Sequence, residues 1–352
     1  MKRLLFILLL MCTLTVRAGN SGNDDQKPLD VKEFILEHLA DSYEWHIASW
    51  GDTHLSLPLP VIVYSKFTGW HMFLSSAFHK HPVYYGLTIA SEGEYKGKIV
   101  EIRGDGRQHR PLDISITKVV FSIFLNSFFL VLIIMLVARS YRKTGISPRR
   151  GFGGMMEMFI MNVVDEIIKP CIGVDYKRYV PYLLTVFFFI FFNNLMGLVP
   201  FIPGGANVTG NIAVTFVLAV FTFLVVNASG TKEYWKEIFW PDVPVWLKIP
   251  IPLMPAIELI GIFTKPFALM IRLFANILAG HSIVLGLTSL IFITVKLGPV
   301  MNAEMTVLSV AFSVFIDIVE LLVAYIQAYV YTMLSAVFIG LARVKQHHED
   351  VN

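Results

Sequence analysis

The chain is short of charge and nearly without cysteine. Only 16% of its 352 residues are Asp, Glu, Lys or Arg, against about a quarter in an ordinary soluble domain. The 29 basic and 26 acidic residues almost cancel, leaving +3, so nothing argues for a nucleic-acid surface. The two cysteines, Cys12 and Cys171, lie in unrelated segments and can build neither a disulfide framework nor a zinc site. No H-E-x-x-H sequence is present, and Asp317 has no matching aspartate in another apolar run. Those absences remove two of the arrangements that serve an intramembrane protease, the zinc motif and the apposed aspartates, and leave a nucleophile with a base as the third. An internal repeat of the kind that builds many secondary transporters is also missing.

Apolar residues are abundant, at 55%, and they collect in long runs after residue 116. That pattern predicts an all-α polytopic membrane domain over residues 116–346, with about five membrane segments and a short tail at 347–352. The first 18 residues read as a secretory signal peptide. Lys2 and Arg3 precede a short apolar core, and Ala18 closes a cleavage-like site. Residues 19–115 then form an extracytoplasmic region of mixed α and β character. Within it, 30–43 has helical spacing, and 81–91 and 96–104 alternate as strands do. His71, His79 and His81 cluster there without ligand spacing and are read as packed or solvated side chains.

The first span covers 117–138. The cations that follow it, Arg139, Arg142, Lys143, Arg149 and Arg150, mark the cytoplasmic side. This agrees with an exported N-terminus and places the C-terminus inside. Residues 153–173 are apolar on one side and suit an interfacial helix. Spans follow at 179–201 and 212–227. Two final runs, 254–294 and 304–344, are each near twice the length of a perpendicular span. A short polar link at Lys296, Gly298 and Pro299 makes them an antiparallel, strongly tilted hairpin.

The hairpin carries ionisable groups where hydrocarbon cannot solvate them. Arg272, always protonated, costs at least roughly 2.5–3.5 kcal/mol at the centre of a membrane helix. Glu258, Lys265, Arg272 and Asn276 are spaced seven, seven and four apart, and so share a helix face. His281 falls nine residues past Arg272, on the opposite face. In the last run Ser313, Asp317, Glu320, Ala324, Gln327 and Tyr331 form a second stripe. Folding about residue 297 sets Arg272 level with about residue 322 and His281 by Asp317. Intramembrane hydrogen bonds average only about 0.6 kcal/mol, which explains so many ionisable groups poorly. An ion or proton pathway explains them better. Glu320 and His281 can exchange protons; Arg272 cannot.

The run 271–281 (IRLFANILAGH) resembles subunit a of the F-type ATP synthases. The resemblance continues in Thr264-Lys265-Pro266, Asn194-Leu195-Met196, Gly210-Asn211-Ile212 and Ile326-Gln327-Ala328, and it spans about residues 116–344. It implies a non-catalytic, cofactor-free, proton-conducting subunit of a bacterial inner membrane. The implied partners are the c-ring proteolipids, the peripheral-stalk b subunits and membrane lipid. By the same resemblance Arg272 is the essential arginine facing the c-ring carboxylate, and Asn276 and Gln327 accompany it. Glu258 stands on the cytoplasmic access side. His281 and Glu320 are a relay pair, exchanged relative to many bacterial members. Asn194, Asp317 and Lys265 are candidates for the channel lining. Two departures stand out: Ala275 replaces a usual glycine, and Gly197 replaces an acidic residue of some bacterial members.

Overall fold

Residues 44–74 are rich in β-branched and aromatic side chains, and the backbone answers with four strands. These are β1 (Glu44–Trp50), β2 (Thr53–Pro58), β3 (Pro60–Ser65) and β4 (Gly69–Leu74). The computed structural model describes residues 35, 40–50, 53–102, 108–144, 151–199, 204–240, 253–295 and 298–343. The signal segment, most of the expected 30–43 helix, Arg149, Arg150, Lys296 and the 347–352 tail lie outside these. Residues 40–43, which were expected to be helical, are not, and the chain enters β1 directly.

A short helix α1 (Ala77–Lys80) and strands β5 (Leu87–Ile89), β6 (Ile99–Ile102), β7 (Gln108–His109) and β8 (Leu112–Asp113) complete the N-terminal region. Of the expected strands at 81–91 and 96–104, only 87–89 and 99–102 form strands, β5 and β6, and 81–86 runs through bends and a turn. Three small antiparallel sheets result: β1-β2, β4-β3-β8 and β5-β6-β7. Tyr43, Val61, Val63, Leu87 and Ile99 form a core shared by the second and third of these sheets. The Tyr43 hydroxyl donates to Asp113, and the Ile99 N–H donates back to it. Burial, reinforced by the Asp113 carboxylate, raises the Tyr43 phenol above its ordinary pKa. The three histidines are engaged separately. His79 meets Glu44, His71 stacks on Tyr85, and His81 stacks on Tyr84. No metal-ligating group of three occurs among the described residues.

Five stretches are long and apolar enough to cross a membrane. They lie in α2 (Lys118–Thr144), in the run from α3 (Phe152–Asn162) through α5 (Tyr176–Gly197), in α6 (Ile212–Ser229), in α8 (Leu253–Thr294) and in α9 (Pro299–Arg343). The segment expected to be one interfacial helix is broken into several pieces. α3 passes into a π-helical turn, Val163–Ile168, then into α4 (Lys169–Ile172) and a 3-10 turn, before α5 begins. Val163, Ile167 and Ile168 are all buried there, so the widened turn aims three apolar side chains at the bundle core. α7 (Lys232–Phe239) follows α6 and is tied to the end of α9 by the Thr231 N–H on the Ala342 carbonyl, 3.0 Å.

α8 and α9 have 42 and 45 residues, or about 63–68 Å of helix against a hydrocarbon layer of about 30 Å. Gly298 takes the sharp turn between them at φ +105, and Pro299 begins α9 five residues before the expected start at 304. Proline suits a first helical position, which carries an unpaired N–H in any case. Gly340 lets α9 lie directly on the Cys171 carbonyl of α4; a Cβ there would collide with it. The core of the bundle joins Leu183, Phe187 and Ile190 of α5 to Leu269 and Leu273 of α8 and to Ala328, Tyr331 and Ile339 of α9.

Candidate functional site

The pairing of α8 with α9 decides which polar groups meet. Near the turn the Thr294 hydroxyl donates to Asn302. Farther along, His281 Nδ1 lies 4.0 Å from Glu320 Oε2, and at the far end Lys265 Nζ stands 5.8 Å over the Phe338 ring. Interpolation between the last two contacts sets Arg272 level with about residue 330 rather than 322. His281 is thus beside Glu320, one turn from the expected Asp317.

His281 and Glu320 border a cavity of about 180 Å³ that also receives Asn194, Asn276 and Ala324. Two glycines make the approach possible. A Cβ on Gly280 would occupy the place of the Glu320 carboxylate, which would then have to leave its present position against α8. Gly197 of α5 faces the other side of the imidazole, with His281 Nε2 3.5 Å from where its Cβ would lie. The imidazole is therefore held between α5 and α9. Asn194, 4% exposed, is fixed at both ends. Its Oδ1 accepts from Thr209 Oγ1 at 2.5 Å, and its Nδ2 donates to the Ala324 carbonyl at 3.4 Å. Asp317 stands one turn from Glu320, exposed, and within electrostatic reach of it.

Arg272 is not in this cavity. It lies on an exposed face of α8 flanked by Ala268 and Ala275, and no hydrogen bond or ion pair reaches it among the described residues. Asn276, one turn on, touches both settings: it shares the Arg272 stripe and lines the cavity. Gln327 is half-buried and lies outside the cavity lining. Toward the opposite end of the bundle Lys265 borders a small cleft with Asn227 and Tyr234. The Tyr234 hydroxyl donates to Asn227 Oδ1 at 3.4 Å. Burial, and then the nearby Glu258 carboxylate, raise the Tyr234 pKa. Glu258 and Lys265 therefore belong to one polar region, distinct from the His281–Glu320 cavity.

Part of the expected stripe on α9 has another use. Tyr331, 2% exposed, shares a 3.1 Å hydrogen bond with Thr222 of α6, and Thr222 shares a 3.0 Å bond with Tyr182 of α5. This three-hydroxyl chain ties the helices together and leaves Tyr331 no part in the cavity. Asn193 is likewise structural: its Oδ1 accepts from Asn126 of α2 at 3.1 Å. Sequence reasoning missed Thr209, Tyr234 and Asn227, because their roles depend on loops and helices brought together only by the fold. Gly280 was within the motif, and its place directly before His281 is the signal that could have singled it out.

Comparison with known proteins gives a consistent answer. A family model described as ATP synthase A chain matches residues 120–340, and a domain of unknown function matches residues 34–114. ATP synthase subunit a of Pelodictyon phaeoclathratiforme is 44% identical over 245 residues, 68% of this chain and 68% of that protein. The subunit a of Chloroherpeton thalassium is 41% identical over 247 residues, 68% and 69% of the two chains. That of Myxococcus xanthus is 42% identical over 245 residues, 68% and 76%.

Proposed function

The chain belongs to the ATP synthase A chain family, and from that premise we propose that it carries protons to and from a rotating ring of proteolipids through two offset half-channels. The observation that carries this reading is the separation of the two groups on α8. His281 meets Glu320 over a cavity on one side, and Arg272 stands exposed without a carboxylate on the other. A proton enters from the extracytoplasmic side past His281 and Glu320, which can each hold and release it. It passes to a carboxylate on the ring, and after nearly a full rotation it leaves through the Glu258 and Lys265 region to the cytoplasm.

Arg272 keeps the two routes apart. A fixed cation in a low-dielectric site favours the ionised form of an arriving carboxylate and so makes it release its proton. Asn276 and Gln327 orient that exchange, while Asn194 and Asp317 belong to the entry side. The protein itself forms and breaks no covalent bond in this scheme. The peripheral-stalk subunits hold it against the torque of the ring. It resides in a bacterial inner membrane with residues 19–115 outside and the tail within.

The test uses the whole complex reconstituted in liposomes. Arg272→Ala in a complex that still contains its proteolipid ring is expected to abolish ATP synthesis driven by a proton gradient. Wild-type synthesis by that variant would overturn the assignment.

A further inference from the structure

The N-terminal region is not simply tethered to the bundle. Trp45 of β1, 3% exposed, is buried against Ala206 and Val208 of the segment joining α5 to α6, each 1% exposed, with Phe121 and Val214 packed around them. Its ring meets Phe121 of α2 edge-on at 5.8 Å between centroids. The backbone is joined as well. The Lys118 N–H donates to the Ser42 carbonyl at 2.8 Å, and Asp41 Oδ1 accepts from the Val119 N–H at 3.1 Å.

The segment that Trp45 covers reaches the cavity within a few residues. Thr209, next to Val208, is the donor that fixes Asn194. The Ala206 carbonyl lies 3.8 Å from where a Gly197 Cβ would be, and that same position is 3.5 Å from the His281 imidazole. One contiguous set of contacts therefore runs from Trp45 through Ala206 and Thr209 to Asn194, Gly197 and His281. The charged groups around that imidazole are Glu320 on α9 and Lys118 on α2, with Asp41 beside Lys118 and Asp317 beside Glu320. Two of these, Lys118 and Asp41, lie where the N-terminal region joins α2.

We propose that the N-terminal region, acting through Trp45, clamps segment 204–211 and so fixes the extracytoplasmic entrance to the His281–Glu320 cavity. Trp45 is a positioning residue for proton entry, and this inference rests on the function proposed above. It gives the region matched only by a domain of unknown function a defined task. A ring buried among apolar partners resists displacement, because any shift of the clamp opens water-accessible apolar surface. A clamp on the entry side also acts on one half-channel only, and that asymmetry is what an experiment can read.

The complex is reconstituted in liposomes with a fixed membrane potential. ATP synthesis is followed as the pH is varied first on the side of the N-terminal region and then on the opposite side. Trp45→Ala is expected to require roughly threefold to tenfold more protons on the first side for half-maximal synthesis. Its dependence on the opposite side stays as in wild type, and Trp45→Phe restores the first profile. Thr209→Val, which frees Asn194 from the clamped segment while leaving Trp45 in place, shifts the profile on the same side and keeps the test available if Trp45→Ala fails to assemble. A wild-type profile in assembled Trp45→Ala or Thr209→Val complexes, or an equal shift on both sides, would overturn the inference. Arg272→Ala run in parallel separates the two readings. Lost synthesis there, beside an unshifted Trp45→Ala profile, leaves the function standing and removes the clamp alone.

Discussion

Two sets of polar residues share the membrane bundle and differ in whether their partners are on the same chain. Tyr182, Thr222 and Tyr331 form a closed chain of hydroxyl bonds deep between α5, α6 and α9. Arg272, on the same hairpin as Tyr331, is exposed and meets no carboxylate among the described residues. Burying unpaired polar groups is costly. The proposed function gives the open guanidinium a partner on a second subunit, while the other set is satisfied within the chain. The first set holds the bundle together, and on the function proposed above the second is half of a site.

The comparison predicts effects of different kinds, which can be ranked. Arg272→Ala should reduce gradient-driven ATP synthesis at least about 100-fold, the scale for removing a positioned charge from a low-dielectric site. Arg272→Lys should restore little, since an ammonium lacks the planar fork and the fixed charge of a guanidinium. Both variants should leave the subunit in the purified complex. A complex lost from the membrane in either case would place Arg272 with the structural set.

Glu320→Gln keeps the shape of the side chain and removes its proton exchange. A roughly 10- to 100-fold fall in passive proton conductance is expected, at or below the lower range for a positioned acid–base group. Gly280→Val should fall in the same range without altering any ionisable group, because its side chain takes the place of the Glu320 carboxylate. Normal conductance in Gly280→Val would mean that the close approach of Glu320 to α8 is unimportant.

The structural set should behave in the opposite way. Thr222→Val leaves two tyrosine hydroxyls short of a partner and should destabilise the subunit by about 1–3 kcal/mol, seen as an earlier midpoint in detergent titration. Proton conductance of the assembled complex should stay within about twofold of wild type, since only Tyr331 of that set was ever on the polar stripe. The smallest effect belongs to the Asn126–Asn193 bond. A double-mutant cycle with alanine at both positions should return a coupling near 0.6 kcal/mol, the average for such bonds in membranes. A coupling several times larger, or a change in conductance, would move Asn193 into the conducting set.

Much of this division was legible in the sequence. Apolar run lengths marked the five membrane stretches and the long hairpin, because hydrocarbon thickness sets a length that composition must match. The spacing of Glu258, Lys265, Arg272 and Asn276 marked one face, and His281 marked the other. The register of the hairpin was not legible to better than about two turns, because nothing in apolar composition fixes where two helices lock together. The 4.0 Å His281–Glu320 pair and the Lys265–Phe338 contact fix it. The strands at 44–74 were missed because aromatic and histidine residues are spread over both faces there, which blurs the period of two. Tyr331 lay on the right stripe and proved to be structural, since a hydroxyl at helical spacing does not reveal which neighbour it bonds.

The central claim is that Arg272 faces a carboxylate on a second subunit. Ala275→Cys places a thiol on the same exposed face, three residues along α8, after Cys171→Ser has removed the described native thiol. Oxidative cross-linking to a cysteine set one turn from the proteolipid carboxylate tests the claim in native membranes. The account predicts a strong cross-linked band that blocks proton-driven ATP synthesis and is reversed by reductant. A thiol at position 275 that remains fully reactive to lipid-soluble reagents and forms no cross-link to the proteolipid would contradict it.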